Sequence, residues 1–257
     1  MQILRPRAVL FSVLALATST VTQQTPPRDP QAVAVLQRSL AVMGGTIPAD
    51  SMATGSVVLE EGSTTEQGTI RILTKGLNQT LEEIETPEGR RRIVYSRGRA
   101  FQAEKGHSGE LWPELVVSSQ GSSFPVAVVG SAFLNPDAAF RYLGLENLDG
   151  TQAHHIRFWN TFPSQPGLQH LAEFSTKDIW IDQVSSLPRR LSYFRRAALG
   201  SEGPVAIELS YANFQGIDGV LYPCRIEKSL NGTHWATIVI ERVFINSGLT
   251  DTDFALR

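Results

Sequence analysis

The sequence predicts an α+β fold in which an antiparallel β-sheet curls around helices, and three observations predict it. An amphipathic helix comes first, the apolar period then switches to two from Thr54 onward, and Gly, Asn and Ser interrupt the strands about every ten residues. An antiparallel sheet leaves one face to water while its other face buries a helical stripe, so helix and meander belong together. No internal repeat of the length used by propellers or solenoids is present.

Of the 257 residues, 42% are apolar, and 23 basic residues face 25 acidic ones for a net charge of −2. That composition is globular and argues against nucleic-acid binding and against disorder. The first thirty residues, "MQILRPRAVLFSVLALATSTVTQQTPPRDP", carry Arg5 and Arg7, then an apolar run over residues 8–17, then small and polar residues. This is the layout of a secretory signal, with cleavage after Ala17 or near Thr22. The run is shorter than the roughly 20 apolar residues that span a bilayer, and no later segment approaches that length. The expectation is a leader over residues 1–22 and a single domain over 23–257, soluble, not membrane-spanning, and periplasmic or secreted. No cysteine follows the apolar run, so no lipid anchor is expected, and a single cysteine leaves no internal disulfide to brace the domain.

Each element has its own signal. In "DPQAVAVLQRSLAVMGG", Asp29 is placed to cap, Pro30 takes the first helical position, Val33, Leu36, Leu40 and Met43 form one stripe, and Gly44 and Gly45 end the helix. Eleven strands follow: "GSVVLEE", "GTIRILTK", "QTLEEIET", "RRRIVYS", "RAFQAEK", "AHHIRFWN", "KDIWIDQ", "RRLSYFRR", "VAIELSYANF", "YPCRIEKS" and "ATIVIERVFIN". "SRGR" and "LNGTH" read as tight hairpins. "SSQGSSFP" reads as a mobile Ser-rich loop with no helix start after it. "LNPDAAFRYLG" reads as a short helix capped by Asn135 and begun by Pro136, with Phe133, Phe140 and Leu143 as its contacts. Pro223 lacks the N–H a ladder needs and is expected at a strand start, a bulge or an edge.

Catalytic signatures are sparse. Cys224 alternates with Ile226 toward the apolar side of its strand, where a free cysteine behaves as a small hydrophobe. His107, His154, His155, His170 and His234 have no helical ligand spacing, so no metal or cofactor is expected. The neighbours His154 and His155 must point to opposite faces of a strand. No nucleophile elbow, phosphate loop or dinucleotide fingerprint occurs. The charges of "LEEIETPEGRRR" read as a hairpin face pairing across its turn, and the arginines of "PRRLSYFRR" spread over both faces or sit at rims. Trp112, Phe124, Phe133, Phe140, Tyr142, Trp159, Phe162 and Trp180 cluster mid-chain; they either fill the core or line an apolar cavity.

Two stretches carry a resemblance. "GTIRILTKGLNQTLEEIETPEGRRRIVYSRGRAFQ" (residues 68–102) resembles the hairpin region of the periplasmic lipoprotein carrier superfamily, the LolA, LolB and RseB-like proteins, with its strand, Gly turn, strand, P-x-G turn and "IVYSRGRAF". "WIDQVSSLPRRLSYF" and the stretch from "YANFQGIDGVLYPCRIEK" to "NSGLTDTDF" are similar to its closing strands. The resemblance implies an unclosed antiparallel half-barrel with an N-terminal helix and short helices covering its concave side. It also implies an apolar cavity there, with Leu36, Leu40, Trp112, Phe124, Phe133, Phe140, Tyr142 and Trp159 as candidate ligand contacts. The implied ligand is a lipid, acyl chain or other amphiphile, and the implied protein is not an enzyme. The alternatives are an envelope sensory protein that binds a protein partner without a lipid cavity and, behind it, a hydrolase. The carriers have an arginine–aromatic pair after the Gly turn; here Asn78, Gln79, Thr80 and Leu81 occupy those positions, so the resemblance implies the fold rather than lipoprotein shuttling.

Overall fold

A computed structural model describes residues 25–119, 123–196 and 203–256, so the expected leader lies outside the described residues. Thirteen strands form one antiparallel sheet: β1 (Asp50–Glu61), β2 (Thr64–Lys75), β3 (Gln79–Thr86), β4 (Gly89–Ser96), β5 (Arg99–Glu104), β6 (His107–Glu110), β7 (Ala138–Leu148), β8 (Thr151–Asn160), β9 (Lys177–Asp182), β10 (Pro188–Arg196), β11 (Pro204–Ile217), β12 (Val220–Leu230) and β13 (Thr233–Ile245). Their order is β6-β5-β4-β3-β2-β1-β13-β12-β11-β10-β9-β8-β7. Every neighbour pair is consecutive in sequence except β1 and β13, and β6 and β7 are the free ends of an unclosed sheet. Among the described residues three α-helices accompany it, α1 (Pro30–Val42), α2 (Pro113–Ser119) and α3 (Pro125–Leu134), with three short 3-10 turns besides.

The helix start is as the sequence signals. Asp29 accepts hydrogen bonds from the backbone N–H groups of Gln31 and Ala32, Pro30 opens the helix, and Ala32, Leu36 and Met43 are fully buried. The hairpins follow turn chemistry. Arg97–Gly98 and Asn231–Gly232 both hold two successive positive φ angles, the geometry that matches strand twist and that Gly at the second position makes inexpensive. Gly55 is required by approach rather than by φ: a Cβ there would lie 1.9 Å from the Val239 carbonyl oxygen, where a bulge shifts the β1–β13 register. Pro223 sits in the part of β12 that pairs with β11 alone, because the β13 register begins at Arg225, so its missing N–H leaves no gap on that side.

Two expectations are corrected. "LNPDAAFRYLG" is not a helix: α3 ends at Leu134 and β7 begins at Ala138. Asn135, restricted by the following proline, is extended and caps its own turn by accepting from the Asp137 N–H, while Ala138, Ala139 and Phe140 are all buried. Phe140 also pairs with the segment before α1, as its N–H donates to Pro27 O and its carbonyl accepts from Asp29 N–H. The Ser-rich stretch is likewise no simple loop. Ser118 and Ser119 end α2, and Pro125 begins α3, whose β-branched sequence is buried on nearly every side. The strand β6, "HSGE", has no buried residue and left no apolar signal.

The core lies on the concave face. Ile70, Ile72, Ile156, Ile179, Leu209, Ile226 and Ile238 from both arms of the sheet meet Leu36, Met43, Phe124 and Val129 from the helical layer. A smaller cluster covers part of the outer face, where Phe254 from the C-terminal turn packs on Leu73, Leu81 and Val94. Asp50 ties that C-terminal segment down by accepting hydrogen bonds from Ser247 N–H, Ser247 Oγ and Gly248 N–H.

Candidate functional site

The register places concave-facing side chains strand by strand. Ile72 pairs with Glu82, Glu82 with Ile93, and Ile93 with Gln102, so Glu82, Ile93 and Gln102 share the core face of β3, β4 and β5. On the opposite arm Leu209 pairs with Lys228 and with Leu191, Ile207 with Tyr193, and Val205 with Arg195. Between these two arms lies a cavity of about 220 Å3, lined by Glu82, Ile84, Ile93 and Tyr95 on one side and Tyr193, Arg195, Ile207, Lys228, Leu230 and Trp235 on the other. Ser119 at the end of α2 and Ser123 before α3 reach it from the helical layer.

A buried ion pair crosses this space. Lys228 Nζ lies 2.6 Å from Glu82 Oε1, and Ser123 Oγ donates to Glu82 Oε2 at 2.8 Å. Lys228 and Glu82 stand on strands four places apart, about 19 Å in a flat sheet, so the pair measures how far the sheet curls on itself. Burial pushes the Glu82 carboxyl up, but the charge of Lys228 and the bonds from Lys228 and Ser123 outweigh it and hold the group below its ordinary value. Arg91 on the same face is enclosed by Glu61, Glu66 and Glu104. Arg195 follows Leu191 and Tyr193 in alternation toward the cavity and has no carboxylate or hydrogen-bond partner among the described residues, whereas its neighbour Phe194 points outward at 60% exposure.

The helix α2 spans the trough, packing on β10 and on β5. Lys177 of β9 anchors it. Its ammonium donates to the carbonyls of Val117 and Ser118 at 3.2 and 2.6 Å and lies 5.4 Å from the Tyr193 ring centroid. Burial without a carboxylate pushes the Lys177 pKa down to about 8. Beyond α2 a second cavity of about 270 Å3 is lined by Val117, Ser131, Phe158 and Lys177, with Leu77 and Leu134 at its margin, the latter 66% exposed.

The eight residues expected at an apolar cavity line neither space. Leu36 and Phe140 are buried to 1% exposure, and Phe124 to 2% with an edge-on contact to Tyr222 at 5.1 Å between ring centroids; all three belong to the filled core. Leu40 and Phe133 pack partly buried against that core, Phe133 lying 5.7 Å from Phe140. Tyr142 hydrogen bonds to His154 Nδ1, and Trp159 lies under Arg141. Trp112 stands 59% exposed ahead of α2. The walls of both spaces are set by which face each strand position occupies.

Other candidate groups are placed as alternation requires. Cys224 is buried on the face of Ile226, and desolvation pushes its thiol up, away from the reactive range. His154 faces inward to Tyr142. His155 faces outward, stacked on Trp180 and held between Glu146 and Asp178, with both ring nitrogens engaged by different carboxylates. Among the described residues no cluster of His, Cys, Asp or Glu is arranged to hold a metal ion, and no helix is long and apolar enough to cross a membrane.

No family model matches the sequence, and no curated protein matches it. Solved structures do resemble the fold. A domain named for outer membrane lipoprotein sorting, from Vibrio parahaemolyticus, superposes with a TM-score of 0.58 at 12% identity, over 87% of this chain and 96% of that one. A LolA superfamily protein from Nitrosomonas europaea gives 0.55 at 15% identity, over 87% and 97%. A DUF1329 family protein from Desulfovibrio piger gives 0.54 at 13% identity, over 91% and 100%. At these identities the likeness is one of fold: the chain has the unclosed, helix-covered sheet of LolA-like proteins.

Proposed function

We propose that the protein is an exported, non-catalytic binding module that holds a single acyl chain or similar amphiphile in the cavity between β3–β5 and β10–β13. The observation that carries this reading is a partly apolar space, walled by Ile84, Ile93, Ile207, Leu230 and Trp235, left between two arms of the sheet whose concave face is packed under α1. Natural cores seldom leave such voids, because unfilled apolar surface loses contacts on every side. A volume of about 220 Å3 is about seven water volumes at about 30 Å3 each, room for a medium-length chain rather than a diacyl lipid. Burying about seven methylenes at about 0.8 kcal/mol each would supply roughly 5 to 6 kcal/mol. The fold shared with a domain named for lipoprotein sorting supports the same reading.

Export follows from the leader expected over residues 1–22, and amino-terminal sequencing of the secreted form would show cleavage between Ala17 and Gln23. For binding, native mass spectrometry of protein purified without detergent is expected to show an added mass that organic extraction releases as an acyl lipid. Protein that is uniformly ligand-free, and that fails to enhance a neutral apolar dye, would remove the reading.

A further inference from the structure

We infer that the cavity selects an amphiphile with an anionic head, a carboxylate or phosphate, and that Arg195 is the group that recognises it. This rests on the amphiphile reading above and specifies its ligand class. Four cationic side chains line the cavity: Arg91, Arg92, Arg195 and Lys228. Lys228 is matched by Glu82, itself held by Ser123, and Arg91 is matched by Glu61, Glu66 and Glu104. Arg92 lies 3.9 Å from Glu83, and Arg195 alone among these four has no carboxylate partner among the described residues, the Tyr95 phenol being the group its charge acts on there.

Its orientation is the second observation. The concave positions of β10 run Leu191, Tyr193, Arg195, fixed by the pairs Leu191 with Leu209, Tyr193 with Ile207 and Arg195 with Val205. At the end of this strand the arrangement that packing alone selects is reversed: the cation turns toward the cavity while Phe194 stands in solvent. A half-buried guanidinium turned toward a partly apolar space is best satisfied when an anion meets it there, and its planar fork fits carboxylate and phosphate oxygens with two parallel hydrogen bonds.

The surroundings suit such a head. Tyr95 lies across the cavity from Tyr193, and burial pushes the Tyr95 phenol well above its usual value, so it remains a neutral hydroxyl rather than a competing anion. Ile207, Leu230 and Trp235 then supply the apolar wall for the chain of the amphiphile.

The test is displacement of bound N-phenyl-1-naphthylamine at pH 7.5 by decanoate, decyl phosphate and decan-1-ol, which share a chain and differ in head. Wild type is expected to bind at least one of the two anions tenfold or more tightly than the alcohol. Arg195→Gln is expected to reduce that preference to within twofold, and Arg195→Lys to keep part of it. Circular dichroism confirms that each variant is folded. Preference for decanoate points to a free fatty acid and preference for decyl phosphate to a phosphate-headed source. Equal binding of alcohol and anions by wild type, or a preference that survives Arg195→Gln, would overturn the inference and leave the amphiphile reading standing. Failure of all three ligands and of the dye to bind would overturn both.

Discussion

The concave face has two halves built on the same alternation, and they differ in what lies over them. Under α1 and the start of α3 the inward side chains are mostly apolar and closely packed: Leu36, Met43, Phe124, Phe140, Ile156, Ile179 and Tyr222 are each at or below 2% exposure. Between β3–β5 and β10–β13 the helical layer contributes only the end of α2 and the start of α3, and there the inward positions become Glu82, Tyr95, Tyr193, Arg195 and Lys228 around a void. The sheet itself does not distinguish a core from a site. The helices do, by filling one half and leaving the other with polar groups that must be satisfied by one another or by a ligand.

Changes in the two halves should therefore behave differently. The largest effect is expected from Phe124→Ala in the filled half. It removes an edge-on aromatic contact and leaves a cavity, and urea unfolding should show a loss of about 3 to 5 kcal/mol. A loss below about 1 kcal/mol would mean that this half is not tightly packed. Next comes Lys228→Met, which leaves the Glu82 carboxylate buried without its cation and is expected to cost about 3 kcal/mol. Adding Glu82→Leu to Lys228→Met should recover most of that loss, because the penalty lies in the uncompensated charge. A double variant no better than the single one would show that the pair is needed for shape rather than for charge balance.

An effect that reaches its full size only at the top of a pH window separates the halves by pH. Between pH 8 and 10.5 the folded Lys177 has released its proton while the unfolded one retains it, so wild-type stability should gain up to about 3 kcal/mol from this group as pH rises across that window. Thermal melts of wild type and Lys177→Met compared across pH 8 to 10.5 should show wild type gaining stability relative to the variant as pH rises. A constant difference would mean that the ammonium holding α2 is not desolvated as the geometry implies.

How much of this was legible in the sequence depends on the range of the interaction. Asp29–Pro30 and Asn231–Gly232 act within a few residues, and they announced α1 and a hairpin correctly. The β7 segment carried a local helix start at Asn135–Pro136, but pairing of Phe140 with both β8 and the segment before α1 prevailed over it. The cavity was not legible from residue type, because Glu82 and Lys228 are 146 positions apart and meet only through the curl of the sheet. Arg195 was partly legible: alternation alone puts it with Leu191 and Tyr193, but nothing local shows that their face at that point is unfilled.

The central claim is that the unfilled half of the concave face is where an apolar ligand binds. Ile207→Trp places a large side chain into that space and leaves the Phe124 half untouched. Titration of N-phenyl-1-naphthylamine into wild type and this variant, with melting temperatures measured alongside, tests the claim most directly. The account predicts saturable fluorescence enhancement by wild type and at least tenfold weaker binding by a variant that still melts cooperatively. Equal binding by a folded Ile207→Trp variant would contradict it.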